Sequence, residues 1–390
     1  IKRHPQNAIA YVNLGNSFLE NDEPEAAREQ YAMALRFAPD LPEAHQGMSY
    51  VLERLGADED ARRHRVRGFR DRPLTTLPYR GEGTPIAALL LVSARGGNIR
   101  TSEFLDEKVF AISRIFTEFF PVGDALPQHA VVFNAIADAD LDKAALELAC
   151  RLVERTRTHT INAPSLVLRT ERRACAELLG SLPGVVAPRI VPVSSRELLE
   201  GRALERCGLS FPFLLRSPGH HTGRYFEKVC CPEEVAAVVS RLPGEQLLAI
   251  EHLDARSDDG KVRKYRVMIV DGKLYPLHAA ISTDWKVHFF TAEMSENPEH
   301  RAEDERFLRD PKAVLGGRAV AALERIGKTL GLDYAGVDFG LSRRGEVLLF
   351  EANAAMTVLR PDREEKWDYR RPYVDGILAA VRTMVMNRIV

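Results

Sequence analysis

The residues with the clearest capacity for chemistry lie between Tyr334 and Asn353. In Gly336-Val337-Asp338-Phe339-Gly340, Val337, Phe339 and Leu341 face one way and Asp338 the other, as in a strand. Arg344-Gly345 signals a turn, and 347–350 reads as a return strand leading into Glu351-Ala352-Asn353. At a spacing of two, Glu351 and Asn353 share a face. A two-residue turn at Arg344-Gly345 puts Asp338 directly opposite Glu351, with Cβ atoms about 5 Å apart. A four-residue loop, 342–345, keeps Glu351 on that face as a diagonal neighbour. A three-residue loop, 343–345, sends Glu351 to the wrong side unless a bulge restores parity. Two carboxylates and an amide oxygen converging on an apolar hairpin repel one another unless a cation sits between them. Oxygen-only ligands select a hard ion, and Mg2+ is the usual one where phosphates complete the shell. On this reading, removing Asp338 or Glu351 relieves repulsion and leaves the fold intact.

Asp338 followed thirteen residues on by Glu351-x-Asn353 resembles the metal-binding signature of ATP-grasp carboxylate–amine ligases. Their relatives include glutathione synthetase, D-alanine–D-alanine ligase and the ligases that add glutamates to a ribosomal protein. The resemblance covers roughly 86–390 and implies ATP with Mg2+, or Mn2+ in its place, the metal being held by Asp338, Glu351 and Asn353. Strand 211–215 ends in Arg216 and is followed by Ser217-Pro218-Gly219-His220-His221-Thr222-Gly223-Arg224. Such a hairpin tip can lay backbone N–H groups over phosphates while Arg216 supplies fixed charge. It resembles the family's phosphate-covering loop, which places Gly219, His221, Thr222 and Gly223 over ATP. No Gly-Lys-Ser/Thr follows, so it is not a Walker loop. Arg172 falls where the family has a basic residue, often lysine, on the nucleotide phosphates; Arg169 or Arg173 could serve instead. After the strand at 247–250 the resemblance implies a hinge: the Leu253 backbone for adenine, Glu251 or Asp254 for ribose. Arg266 resembles the arginine that stabilises an acyl phosphate, and Lys264 stands where several members carry an acid. Trp285 reads as core, with a substrate platform as the alternative; the sequence assigns Lys286 and His288 no firm role, a second phosphate contact being one reading for Lys286.

The implied reaction is ATP-dependent ligation of a carboxylate to an amine through an acyl phosphate. Two alternatives remain: a grasp-type kinase, which uses the same nucleotide-site residues to phosphorylate a hydroxyl, and a repeat scaffold whose grasp domain is inactive. The intact Asp338, Glu351 and Asn353 argue against the scaffold.

Positioning these residues requires a multidomain frame. Apolar runs at 86–93 and 129–135 read as buried strands, with helical periodicity at 103–120 between them. Asp140 reads as the cap of a further helix, and 158–161 as a third strand, giving a small parallel sheet. Arg95-Gly96-Gly97-Asn98 departs from GxGxxG, so no dinucleotide site is expected. Thr170 reads as the cap of a helix stopping at Gly180, and 313–330 as a long amphipathic helix stopping at Gly331. Asp271-Gly272 is a type I′ hairpin signal between 264–270 and 273–279.

Ahead of the sheet, Pro5, Pro39 and Pro73 recur every 34 residues. Tyr11, Leu14, Gly15, Phe18, Ala27, Tyr31, Ala34 and Pro39 together resemble the tetratricopeptide repeat, with a looser second copy. The expected layout is tetratricopeptide repeats over 1–75, an α/β pre-ATP-grasp domain over 76–165 and an α+β ATP-grasp domain over 166–390. Pro5 sits where an earlier repeat would end, and Ile1 is no initiator Met, so an upstream continuation is expected unless these repeats dock on the rest of the chain. Repeats commonly hold extended peptides, which predicts a peptide or protein substrate beside a small-molecule amine or carboxylate. Arg62, Arg63, Arg65, Arg67, Arg70 and Arg72 make either a solvated face or a seat for an acidic partner. Among 390 residues, 54 Lys plus Arg face 55 Asp plus Glu, a balance that argues against nucleic acid. The longest apolar run, 86–92, falls far short of the roughly 20 residues that span a bilayer. Five cysteines without CxxC predict a reduced, cytoplasmic protein.

Overall fold

The computed structural model describes residues 6–219, 223–289 and 292–389. They form two compact units: one holds the chain up to Ile136 with 142–160, the other 137–141 with 161–388.

The first unit opens with helices α1 (Ala8–Glu20), α2 (Pro24–Phe37), α3 (Pro42–Arg54) and α4 (Asp58–Phe69). α3 starts 34 residues after α1, and α4 starts 34 after α2. Pro24 and Pro42 occupy first-turn positions, where a missing N–H costs nothing. The fully buried Tyr31 ring fills the space that Gly15 and Gly47 leave open. A Cβ on Gly15 would lie 2.7 Å from that ring, and one on Gly47 closer still. Most of the expected basic face is neutralised within the helices. Arg62 pairs with Glu59, Arg63 with Asp60, Arg65 with Glu53 and Arg72 with Glu43. These local acids compete with an acidic partner for four of the six arginines.

The same unit continues through β1 (Leu74–Thr76), β2 (Ile86–Val92), β3 (Phe110–Phe116), β4 (Val131–Asn134), α5 (Lys143–Val153) and β5 (Thr160–Ile161). The sheet order is β1-β3-β2-β4-β5, with β3 and β4 parallel to the central β2 and β1 antiparallel on the edge. Here the helix expected over 103–120 is corrected. Residues 103–109 form turns and 110–116 are strand β3, because the apolar spacing of Phe110, Ile112, Ile115 and Phe116 suits either period and β2 offers a complete ladder. The helix expected to be capped by Asp140 starts later, at Lys143, with Asp142 at its N-cap. Phe69 at the end of α4 stacks against Phe116 and Phe119, with centroids 4.5 and 5.9 Å away, so the helices seat on the sheet. At the C-terminal end of β2 the Glu118 carboxylate accepts from Ala94 N and Ser93 Oγ. An internal anion therefore occupies one backbone N–H and one hydroxyl at the strand end where a dinucleotide phosphate would bind.

The second unit begins with α6 (Pro164–Val167), α7 (Arg172–Gly180), β6 (Val185–Val186), β7 (Ile190–Ser194), α8 (Ser195–Leu199) and α9 (Arg202–Cys207). It continues with β8 (Phe213–Arg216), β9 (Phe226–Val229), α10 (Val235–Arg241), β10 (Gln246–Glu251), β11 (Val262–Val270) and β12 (Lys273–Ser282). The last elements are α11 (Pro298–Arg309), α12 (Pro311–Leu330), β13 (Tyr334–Leu341), β14 (Val347–Asn353) and α13 (Arg371–Asn387). One antiparallel sheet runs β7-β10-β8-β9; Val193, Phe213, Leu215 and Leu247 form its core with Leu198 of α8 and Val238 of α10. The other runs β12-β11-β13-β14-β6. Gly327 of α12 packs against Ile269 of β11, so Tyr265, Val267 and Ile269 face the helix and Lys264, Arg266 and Met268 face away.

Asp271-Gly272 forms the expected tight turn, both residues at positive φ. Two helix boundaries differ from the sequence reading. Glu171, not Thr170, caps α7 by accepting from Arg173 N and Ala174 N, while Thr170 Oγ1 donates to the Val167 carbonyl. α12 starts two residues earlier than expected and is interrupted at Gly316, whose φ of 80° breaks the helix.

Candidate active site

The β13–β14 hairpin closes through a three-residue loop, 343–345, with Ser342 N donating to the Glu346 carbonyl. Leu341, Gly340 and Phe339 then pair with Val347, Leu348 and Leu349, a register that would oppose Asp338 to Phe350. A bulge at Phe350 shifts the ladder by one residue, so Asp338 pairs with Glu351 and Gly336 with Asn353. Cross-strand partners share a face, so this odd loop with its compensating bulge puts the two carboxylates and the amide on one side.

The register extends that face beyond the hairpin. Arg266 of β11 pairs with Asp338, and His278 of β12 pairs with Arg266. His278, Arg266, Asp338 and Glu351 thus form one row across four strands. Within it Arg266 grips Asp338 with two bonds, Nε to Oδ1 at 2.5 Å and Nη2 to Oδ2 at 2.7 Å. Lys264, one step along β11 on the same face, brings Nζ within 3.1 Å of Oδ2. At the other end Arg172, the first residue of α7, donates through Nη2 to Glu351 Oε1 at 2.5 Å.

Burial sets the electrostatics. It opposes ionisation of Asp338, whose side chain is only 5% exposed, but Lys264 and Arg266 more than offset this and hold the carboxyl well below the usual range. For Arg172 burial works against the charge, and Glu351 and Asp140 outweigh it. Arg216 is lowered to about 10, first by burial and then by its like charge with Arg172, with Glu351 partly compensating. Its guanidinium carbon lies 5.8 Å from the centre of the Phe226 ring. Burial, then Arg266, keep His278 well below its ordinary value, and burial with Lys264 lowers His288. Both imidazoles are therefore shifted towards the neutral form.

The structure thus gathers Arg172, Arg216, Arg266, Asp338, Glu351 and Asn353 in the second unit. Gly219 and Gly223 flank the β8–β9 tip, both at positive φ; His221 and Thr222 lie outside the described residues. Lys286 donates from Nζ to the Phe226 carbonyl at 3.0 Å and abuts Gly223, which brings it to that tip. Glu251 and Asp254 are engaged elsewhere. Glu251 accepts from Arg189 N, and Asp254 accepts from Arg256 N and Nε. Leu253 is half-buried against an apolar cluster containing Ala255 and Leu348. Trp285 does not join the core: it is half-exposed and meets Phe226 edge-on, 5.4 Å between centroids.

The role of one site residue escaped the sequence reading. Asp140, expected as a helix cap, instead accepts from Arg172 N at 3.2 Å, and nothing local marks that use. Lys264 stands out in the sequence two residues before Arg266, and the structure gives it a partner on another strand, Asp338.

The donor set can be tested against a divalent ion. Asp338, Glu351 and Asn353 offer the hard oxygens that Mg2+ or Mn2+ takes. Yet Asp338 already receives three nitrogens, Glu351 receives Arg172, and Asn353 Oδ1 accepts from Ala355 N at 2.9 Å. Among the described residues no group of three or more His, Cys, Asp or Glu could hold a metal. Two cations face one carboxylate at Asp338, so a bare ion would meet an excess of like charge. The residues fit the metal together with an anion, such as a nucleotide polyphosphate, and not alone.

No family model and no curated protein matches this chain. Solved structures do. D-alanine–D-alanine ligase from Bacillus anthracis, complexed with ATP, is 13% identical with a TM-score of 0.47, covering 78% of this chain and 98% of its own. A RimK domain ATP-grasp protein from Sphaerobacter thermophilus is 13% identical, with a TM-score of 0.45 and coverage of 78% and 99%. The ATP-grasp ligase PsnB, complexed with precursor peptide PsnA2 and AMPPNP, is 14% identical, with a TM-score of 0.40 and coverage of 77% and 98%.

Proposed function

We propose that this chain is an ATP-dependent carboxylate–amine ligase of the ATP-grasp type. The observation that carries the proposal is the charged row on one sheet face, where Arg266, Lys264 and Arg172 surround Asp338 and Glu351. Phosphoryl transfer asks the protein mainly for positioning and charge neutralisation, and a partly buried cluster of fixed cations supplies both. A substrate carboxylate oxygen attacks the γ-phosphorus, the bond to the ADP oxygen breaks, and an acyl phosphate forms. An amine nitrogen then attacks the carbonyl carbon, phosphate leaves with the C–O electron pair, and the nitrogen loses a proton. Arg266 faces the acyl phosphate, while Arg172, Arg216 and the β8–β9 tip hold the polyphosphate. Leu253 offers its backbone to adenine; Glu251 or Asp254 serves the ribose by exchanging its present partners. Asp338, Glu351 and Asn353 would hold a Mg2+ or Mn2+ ion together with the phosphates, and the ion would supply further neutralisation of phosphate charge.

The four N-terminal helices are, on this proposal, tetratricopeptide-type repeats that present a peptide or protein substrate. Their 34-residue offset and the glycines under Tyr31 support it. The five unpaired cysteines agree with a reducing, cytoplasmic location. Among the described residues no helix is long and apolar enough to cross a membrane. Mass spectrometry of candidate peptides incubated with amines, ATP and Mg2+ tests the reading. A new amide supports it, a stable phosphoester shows a kinase, and neither product nor ATP turnover leaves a scaffold.

A further inference from the structure

Lys264 changes how this cleft handles charge. Its side chain is 14% exposed, that of Arg266 20% and that of Asp338 5%, so two cations and one anion share a largely desolvated spot. A buried charge without a counter-charge is costly, and here the excess is positive. The imidazoles on the same side do not offset it. Burial holds His278, paired with Arg266 in the sheet, and His288 towards the neutral form, and neither ring brings negative charge. The nearest further carboxylate in the row, Glu351, is already bonded to Arg172.

Resting on the nucleotide site proposed above, we infer that Lys264 supplies in the protein part of the positive charge that a divalent ion otherwise brings. The cleft therefore binds a nucleoside polyphosphate without metal and rejects a divalent ion without nucleotide. The order follows from Coulomb's law. A polyphosphate arriving first meets Lys264, Arg266, Arg172 and Arg216, and each contact is a charge-assisted hydrogen bond. A divalent ion arriving first must displace Arg266 or Lys264 from Asp338 and then sit beside the displaced cation. Once phosphate is in place, its oxygens receive those cations and Asp338 is released towards the metal.

The test uses the full chain with two probes: ADP by calorimetry, with EDTA or with Mg2+, and Mn2+ alone by electron paramagnetic resonance. For the wild type, metal-free ADP affinity within about tenfold of that with Mg2+ is expected, with no saturable Mn2+ binding in the absence of ADP. Lys264→Met keeps the aliphatic stem; it should lower metal-free affinity at least about tenfold and affinity with Mg2+ by less than about threefold. Lys264→Arg should behave as wild type, which separates charge from packing. Lys264→Glu should gain Mn2+ binding without nucleotide. ADP binding only with Mg2+, saturable binding of Mn2+ alone to the wild type, or unchanged metal-free affinity in Lys264→Met overturns the inference while leaving the nucleotide site standing. No ADP binding under either condition overturns both.

Discussion

Replacing Asp338 with Asn tests the charged row most directly, and the structure reverses what the sequence suggests for it. Clustered carboxylates imply relief on losing one of them. Instead Asp338 is the shared counter-ion of Lys264 and Arg266, and its loss strands two partly buried cations. Removing one partner of a buried ion pair costs about 3–5 kcal/mol, because the other charge stays desolvated. Asn retains one acceptor oxygen for Arg266 but turns an N–H2 group towards the second nitrogen, so about 4 kcal/mol is a fair central value. In a unit of this size each kcal/mol moves Tm by about 2–4 °C, giving a loss of about 8–16 °C. Both tryptophans, Trp285 and Trp367, lie in the second unit, so their fluorescence during urea unfolding reports on it selectively. The sign with pH also follows. Asp338's carboxyl is depressed in the folded state, so its contribution is fully present above the unfolded carboxylate range, near pH 4, and fades only as pH falls through the lower folded value. The difference between wild type and Asp338→Asn should therefore be equal at pH 6 and pH 8. Adding Lys264→Met should recover part of the loss, since one stranded charge is removed. An Asp338→Asn chain as stable as wild type would refute the ion-triad account.

Further outcomes are expected. Arg216→Ala should weaken nucleotide binding by roughly 1.5–3 kcal/mol, about ten- to a hundredfold by calorimetry, in a variant that keeps wild-type tryptophan fluorescence. Gly47→Ala should destabilise the N-terminal helices by about 1–3 kcal/mol through overpacking on Tyr31, read as faster hydrogen exchange in α2 and α3. His45 on α3 donates from Nε2 to the Pro39 carbonyl at 2.9 Å, which leaves Nδ1 to accept from His64 Nδ1 of α4 at 2.8 Å. Burial foremost lowers both imidazoles, and Arg67 adds to it, so the folded helices bind fewer protons than the unfolded chain. Their stability should be complete above about pH 6.5 and fall as pH drops below it, with faster exchange in α3 and α4 at pH 5; a His64→Gln chain should show a shallower fall.

Much of the local structure was legible in the chain itself. The 34-residue offset recurs openly along the chain, and the Asp271-Gly272 turn and the alternation around Asp338 each depend on residues within a few positions of one another. Backbone sterics and side-chain period decide such features locally. Parity showed even the form of the compromise: with three loop residues, a bulge had to follow for Asp338 to face Glu351. Where the sequence reading failed, two structures were locally equivalent. The segment 103–120 contains apolar spacings that suit a helix, and only the ladder offered by β2 makes its second half a strand. The tertiary structure alone decided which charges meet. Arg266 and Asp338 are 72 residues apart, and Arg172 and Glu351 are 179 apart. Charge pairing depends on distance in space and on exclusion of water, neither of which has a period along the chain. The sequence could therefore name the carboxylates, but only the packed sheet turned a predicted metal cage into a row of carboxylates already held by arginine and lysine.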